Sequence, residues 1–419
     1  MPNKQHSTTI TLPRGTLDLT YQTNFSGDSK NYELEDLLGF AQRINPKRAF
    51  LFVSKVLGRH IPVAPGTMRH AFTDLANLVP DDLPEPILVI GMAETAVGLS
   101  AGVHQALQTR YPNALLLNST RHSQHNKNNT ETLLTTFSED HSHASQHLIY
   151  QSADTVTQAQ LLASKTLIMV DDEASTGNTC VNVVTALRNA GLDQLQQVHL
   201  TTLVDWSLNQ NQSHANADDT IATRLSNIEF HRHHLLSGAW QWTDATNPES
   251  ITMPSVDTTE AGSYALGDTG NWGRFPTLDS TDGFAFYLTK FQAAFNLFNQ
   301  QAQSEKASFE KEQLPQRILV LGSNEFVWLP FLLAEWLETQ TQNATVKFSA
   351  LTRSPIALGG AITTMLSFSD NYGLGMTNFA YNVEPSDWDL IVLCVETSAD
   401  SVDEMWKDLD NVLVVSPTL

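Results

Sequence analysis

The sequence predicts an α/β protein built as two successive sections, each a parallel sheet flanked by helices. Three observations predict it. Short apolar strands alternate with helical segments from Ile87 onward, the rhythm of βαβ units. The same alternation restarts at Arg317. Between the two, the apolar strand Leu167–Val170 runs into Asp171-Asp172 and a small polar turn that opens a helix, at the strand end where open α/β sheets bind ligands.

At 419 residues the chain exceeds one comfortable core and suggests two or three domains. Lys plus Arg number 24 against 45 Asp plus Glu, a formal charge of −21, which argues against general affinity for nucleic acid or an anionic membrane. No run approaches the roughly 18 apolar residues of a membrane span. The polar start from Met1 to Thr11 has no signal-peptide core, so a cytoplasmic protein is expected. Cys180 and Cys394 are far apart and lack metal-ligand spacing, so they read as buried, reduced thiols rather than a disulfide or zinc site.

In chain order, Gly15–Tyr21 reads as a strand, Glu33–Ile44 as an amphipathic helix and Phe50–Val53 as a short buried strand. Ile87–Ile90, Ala114–Leu117, Thr166–Val170 and Val198–Val204 read as strands, with helices at Val97–Gln108 and Thr179–Ala190. Residues 118–146 form a polar stretch of a length that commonly serves as a lid or binding loop, with disorder as the alternative. Glu229–Leu236 is a further strand candidate, and the glycine-rich segment Gly262–Pro276 marks a boundary. The expected organisation is an extension (1–30), a first domain (31–260), a linker (261–280) and a second domain (281–419). In the latter, Phe284, Leu288, Phe291, Phe295 and Phe298 fall at helical spacing and read as core packing. Strands follow at Arg317–Leu321, Val346–Leu351, Leu390–Val395 and Val412–Val415, with a helix through Trp336.

The segment Leu167–Thr179 carries the chemistry. A buried central strand delivers Asp171 and Asp172 at its carboxyl end, where carboxylates can accept hydrogen bonds from sugar hydroxyls. Gly177 allows a tight turn, and the hydroxyls of Ser175, Thr176 and Thr179, with the amides at the helix start, can cradle a phosphate dianion in a loop that includes Ala174 and Asn178. No Gly-Lys-Ser/Thr follows, which excludes a Walker-type loop. The alternative is a capped helix beside two solvated aspartates.

This segment resembles the phosphoribosyl pyrophosphate (PRPP) signature of type I phosphoribosyltransferases. The resemblance implies that the acidic pair holds the ribose diol and the loop grips the 5′-phosphate. It also implies that the turn Ala93-Glu94-Thr95, after the strand Ile87–Ile90, binds pyrophosphate through its backbone. Departure of pyrophosphate calls for Mg²⁺, held by Asp171 and Asp172 largely through PRPP and water, and for cationic donors. Candidate cations are Arg121, Lys55 and Arg59, the last two in a basic cluster that reads equally as surface charge. Glu173 borders the reaction centre as a general base or orienting group. The polar stretch after Arg121 corresponds to a hood that closes over substrates. His141 and His143 on it would contact the acceptor or a metal, or stand in solvent.

The second section repeats the first. Ile87–Glu94 is echoed by Ile318–Glu325, Thr120-Arg121 by Thr352-Arg353, Phe137-Ser138-Glu139 by Phe368-Ser369-Asp370, and Tyr150 by Tyr381. Aligning Leu390–Leu393 with Leu167–Val170 puts Cys394 and Val395 in place of the acidic pair, so a degenerate repeat without PRPP binding is expected. It would act as a built-in dimer partner, with Arg353 reaching the active site, or only as packing surface. A homodimer and an intrachain pseudo-dimer both stay open.

Thr352-Arg353-Ser354-Pro355 spells the tetrapeptide for which the TRSP domain is named. With the first section, the chain resembles the phosphoribosyltransferase and TRSP proteins of bacterial tellurite-resistance and stress gene clusters. That resemblance implies an orotate-phosphoribosyltransferase-like enzyme making a nucleotide-like metabolite from PRPP and a small base-like acceptor, with Mg²⁺ as cofactor. The rival reading is a non-catalytic PRPP-binding regulator. PRPP synthesis lacks any evident ATP site.

Overall fold

The structure, a computed structural model, describes residues 5–23, 32–43, 48–122, 133–138, 146–208, 221–251, 253, 255, 269–305, 315–341 and 343–418. The chain divides into two compact units. The first comprises Met1–Phe52, Arg69–Ile251 and Trp272–Ser280; the second comprises Val53–Met68, Thr252–Asn271 and Thr281–Leu419.

In the first unit β1 (Gln5–Leu12) and β2 (Gly15–Thr23) form a hairpin. A single helical turn, α1 (Leu34–Leu37), leads to a two-stranded sheet of β3 (Leu38–Gln42) and β4 (Phe50–Ser54). Then come α2 (Pro65–Asn77), β5 (Ile87–Gly91), α3 (Val97–Leu107) and β6 (Leu115–Asn118). An antiparallel pair, β7 (Leu133–Phe137) and β8 (His147–Tyr150), precedes α4 (Thr155–Leu162), β9 (Thr166–Ala174) and α5 (Asn178–Asn189). The unit continues with β10 (Gln197–Asp205), α6 (Ile221–Arg224) and β11 (Glu229–Asp244).

Seven of these strands build one sheet in the order β1-β2-β11-β10-β9-β5-β6. The five from β11 to β6 are parallel, and β2 runs antiparallel to both β11 and β1. Residues 5–23, which the sequence marks as an extension, thus supply one side of the sheet. Every residue of β5 and the first five of β9 are buried, as expected of parallel strands covered on both faces. Leu88, Ile90, Leu167, Met169, Val183 and Leu187 belong to the resulting core.

The helix expected over Glu33–Ile44 is a correction. Only one turn is helical, and Leu38–Gln42 is extended, with all but Phe40 buried. Gly39 weakens the helix, and pairing with β4 overrides the apparent 3.6-residue period.

The second unit contains α7 (Phe284–Glu305), β12 (Arg317–Ser323), α8 (Trp328–Gln340) and β13 (Thr345–Leu351). A hairpin of β14 (Met365–Ser369) and β15 (Thr377–Tyr381) follows, then β16 (Leu390–Cys394), α9 (Glu404–Lys407) and β17 (Val412–Val415). On α7, Phe291 and Tyr287 are buried, whereas Phe284, Leu288, Phe295 and Phe298 are half-buried. The sheet is parallel in the order β13-β12-β16-β17, which repeats β6-β5-β9-β10 of the first unit. Thr352 bridges to Phe379 as Thr120 bridges to Leu148, so the echo in sequence is an echo in topology. No helix among the described residues is long and apolar enough to cross a membrane.

Sheet register moves the sequence alignment of the two halves by one residue. Gly91 faces Val170 across β5 and β9, and Gly322 faces Cys394 across β12 and β16. Cys394 therefore stands where Val170 does, and Val395 and Glu396 stand where Asp171 and Asp172 do. A uniformly apolar run has no internal marker, which is why matching Leu390–Leu393 by composition slipped. One carboxylate of the pair survives in the repeat, fully buried, accepting a 2.7 Å hydrogen bond from the Tyr372 hydroxyl.

Candidate active site

The site grows from the carboxyl end of β9. Thr166–Val170 are buried between β5 and β10, and burial relaxes from Asp171 onward, so the acidic residues are half-buried. The Asp172 amide donates to Asp171 Oδ1 at 2.9 Å. Burial, and then the neighbouring Glu173 carboxylate, push the Asp172 carboxyl up to about 6.

Beyond the pair, Gly177 is the N-cap of α5 with φ of 79°, the left-handed region that favours glycine. A Cβ there would collide with Ile221 and stand 3.1 Å from Arg232 Nη2. Ser175, Thr176, Asn178 and Thr179 are half-buried, and the Asn178 amide donates to Thr176 Oγ1 at 3.3 Å. Arg224 donates to Asn178 Oδ1 at 2.6 Å. Arg232 on β11 donates through Nη1 to both oxygens of Asp205, at 3.0 and 2.9 Å. Its Nη2 faces the carbonyls of Ser175 and Thr176 at 3.3 and 3.4 Å.

Glu173 is fully engaged. Arg48 donates to its two oxygens at 2.7 and 3.2 Å, and the Trp206 indole donates to Oε2 at 3.0 Å. The Arg48 guanidinium also lies over the rings of Phe50 and Phe52, at 4.9 and 4.6 Å.

The turn after β5 is held from β6 and β8. Gly91 admits close approach, since a Cβ would fall on Ser100 and Asn118. Ala93 N–H donates to Ser119 Oγ at 3.0 Å, and that oxygen lies 3.0 Å from Nδ1 of buried His147, which stacks on Phe137. The Ala93–Glu94 peptide is cis. Glu94 is buried and Thr95 half-buried.

The remaining sequence candidates fall as follows. Arg121 is half-buried directly after the Thr120 bridge to β8. Lys55 and Arg59 lie in the second unit, where Arg59 Nη1 donates to the carbonyl of Asn324 at 2.5 Å. Its neighbour Val63 exchanges backbone hydrogen bonds of 3.0 and 2.8 Å with Phe348. Arg353 is also in the second unit, with Nη1 3.7 Å from Met376 Sδ. His141 and His143 lie outside the described residues. Both cysteines are buried and unpaired, and burial pushes each thiol up to about 12.

Sequence reasoning missed Arg48, Trp206, Asp205, Arg232, Ser119 and His147. Asp205 carried a readable signal, since it follows an apolar strand stretch as Asp171 does. The others are isolated polar residues whose partners lie far off in the chain.

Carboxylates on β9, a glycine turn with hydroxyls before α5, and a braced turn after the adjoining β5 thus come together at one end of the sheet. Residues 37–238 match the family model described as "Phosphoribosyl transferase", which marks this stretch as a PRPP-dependent phosphoribosyltransferase domain. Residues 290–412 match the model "TRSP domain C terminus to PRTase_2", so a phosphoribosyl transferase domain is followed in this chain by a TRSP domain. Among solved structures, the chain is similar to the adenine phosphoribosyl transferase of Trypanosoma brucei in complex with AMP, pyrophosphate and ribose-5-phosphate. The identity is 14% over 55% of this chain and 86% of that one, with a TM-score of 0.33. The adenine enzyme of Leishmania donovani is 13% identical over 49% and 78%, with a TM-score of 0.31. The orotate phosphoribosyltransferase of Aeropyrum pernix is 15% identical over 45% and 79%, with a TM-score of 0.25. No curated protein matches the chain in sequence.

Proposed function

We propose that this enzyme transfers the 5-phosphoribosyl group of PRPP to a nitrogen of a small base-like acceptor, releasing pyrophosphate and forming a nucleotide-like product. The carrying observation is the run from β9 into α5, where Asp171 and Asp172 precede a left-handed Gly177. In this reading Asp171 and Asp172 accept hydrogen bonds from the ribose hydroxyls. The hydroxyls of Ser175, Thr176 and Thr179 and the first amides of α5 bind the 5′-phosphate. The backbone of Ala93–Thr95 binds pyrophosphate, and Arg121 faces the developing charge. The bond from C1 to pyrophosphate oxygen breaks as the acceptor nitrogen bonds to C1, and the acceptor nitrogen gives up its proton to water or to the departing pyrophosphate. Glu173 orients the site rather than taking that proton, because Arg48 and Trp206 occupy both its oxygens.

The donor set fits Mg²⁺. Two adjacent carboxylates offer hard oxygen ligands, and the ion keeps several waters and substrate oxygens in such sites. When bound, Mg²⁺ would neutralise the leaving pyrophosphate. In this reading the ion comes largely with PRPP and its waters, with Asp171 and Asp172 at its border. A cytoplasmic setting suits the two unpaired thiols.

Incubation with labelled PRPP, Mg²⁺ and a cell extract tests the reading. A new phosphoribosylated product with pyrophosphate release is expected, and tight PRPP binding without any product would favour a regulator instead. Asp172→Asn should weaken PRPP binding about ten-fold or more, and an unchanged dissociation constant would sink the site.

A further inference from the structure

We propose that Arg232, oriented by Asp205, is a positioning residue that presets the Ser175–Gly177 loop for a sugar 5′-phosphate. This rests on the assignment of that loop as the phosphate seat. Asp205 is only 3% exposed, and an ion at that depth needs its partner, so the pair fixes the guanidinium plane. Arginine suits the task because Nη1 meets both carboxylate oxygens while Nη2, held in the same plane, points elsewhere, which lysine cannot reproduce.

That further group faces the carbonyls of Ser175 and Thr176, two successive peptides. In a trans peptide the N–H points opposite the C=O. A cation that draws both carbonyls to one side therefore turns the N–H groups of Thr176 and Gly177 to the other. There they adjoin the start of α5 and make the concave set of donors that an anion requires. Gly177 contributes by its missing side chain, since a Cβ would stand 3.1 Å from Arg232 Nη2.

The test compares ribose 5-phosphate with pyrophosphate, because only the former carries the phosphate for this loop. Dissociation constants are measured by calorimetry with Mg²⁺ for the full-length wild type and for Arg232→Gln, Arg232→Lys and Asp205→Asn. Arg232→Gln should weaken ribose 5-phosphate about ten-fold while pyrophosphate stays within about two-fold. Arg232→Lys should recover only part of the loss, and Asp205→Asn should fall between. Unchanged ribose 5-phosphate affinity in a folded Arg232→Gln protein would overturn the proposal, as would an equal loss for both ligands. If Arg232→Gln does not fold, the same comparison is made on Arg232→Lys and Asp205→Asn. Failure of the wild type to bind ribose 5-phosphate would instead overturn the phosphate seat, and this proposal with it.

Discussion

Arg48 and Glu173, 125 residues apart in sequence, form a two-pronged ion pair of 2.7 and 3.2 Å whose side chains are 21% and 23% exposed. The pair ties the β4 end of the first unit to the strand that bears the acidic residues. Removing only the cation leaves a half-buried carboxylate with the Trp206 indole. Arg48→Met should therefore lower unfolding free energy by about 1–3 kcal/mol, and adding Glu173→Gln should recover part of it. Urea denaturation of the single and double variants reads both values.

Asp172 should make stability and ligand binding respond to pH in opposite directions. Its folded carboxyl titrates at about 6, above its unfolded value of roughly 4. The stability it contributes is present below about pH 4 and is lost as pH rises through about 6, because the folded state holds the proton longer. Asp172→Asn should thus unfold at higher urea than wild type at pH 8, by on the order of 1–3 kcal/mol, with little difference at pH 4. If ionised Asp172 holds the ribose as proposed, PRPP binding by wild type should instead weaken as pH falls below about 6.

Ser119 should matter to one end of the substrate only. Its hydroxyl links His147 to the Ala93 amide, each at 3.0 Å. Ser119→Ala removes that link and loosens the turn after β5. Pyrophosphate affinity should drop about three- to ten-fold in calorimetry while ribose 5-phosphate affinity holds. A loss for ribose 5-phosphate alone would contradict the assignment of this turn.

Two histidines on β10 and β11 should make the first unit sensitive to acid. His199 Nδ1 lies 2.8 Å from His233 Nε2, and the rings stack at 5.1 Å. Burial, then the neighbouring histidines, lower His199 to about 3 and His233 to about 4. Both stay neutral in the folded state while the unfolded chain takes up protons below roughly pH 6.5. Their contribution is complete above that pH and lost as pH falls through 6 toward about 3, a few kcal/mol in all. Replacing both with Gln should flatten the fall in urea midpoint between pH 7.5 and 4.5.

The local sequence carried the two-section α/β plan, because buried parallel strands must be written as apolar runs and their helices as stripes. It also marked Asp171, Asp172 and the Ser175–Thr179 loop as candidates and carried the repeat, since each is contiguous. Misreading Glu33–Ile44 as a helix came from the same locality: a pattern of buried residues cannot tell one face of a helix from two faces of a paired strand. Tertiary structure alone decided what braces the site. Arg232 with Asp205, Trp206 with Glu173 and His147 with Ser119 meet because the strand order sets β11 beside β10, β10 beside β9, and the β7–β8 pair against the end of β6, while Arg48 reaches Glu173 from beside the separate β3–β4 sheet. Strand order also fixed the register that returns Glu396 to the place of Asp172, because hydrogen-bond pairing between strands, unlike composition within one, distinguishes neighbouring apolar residues.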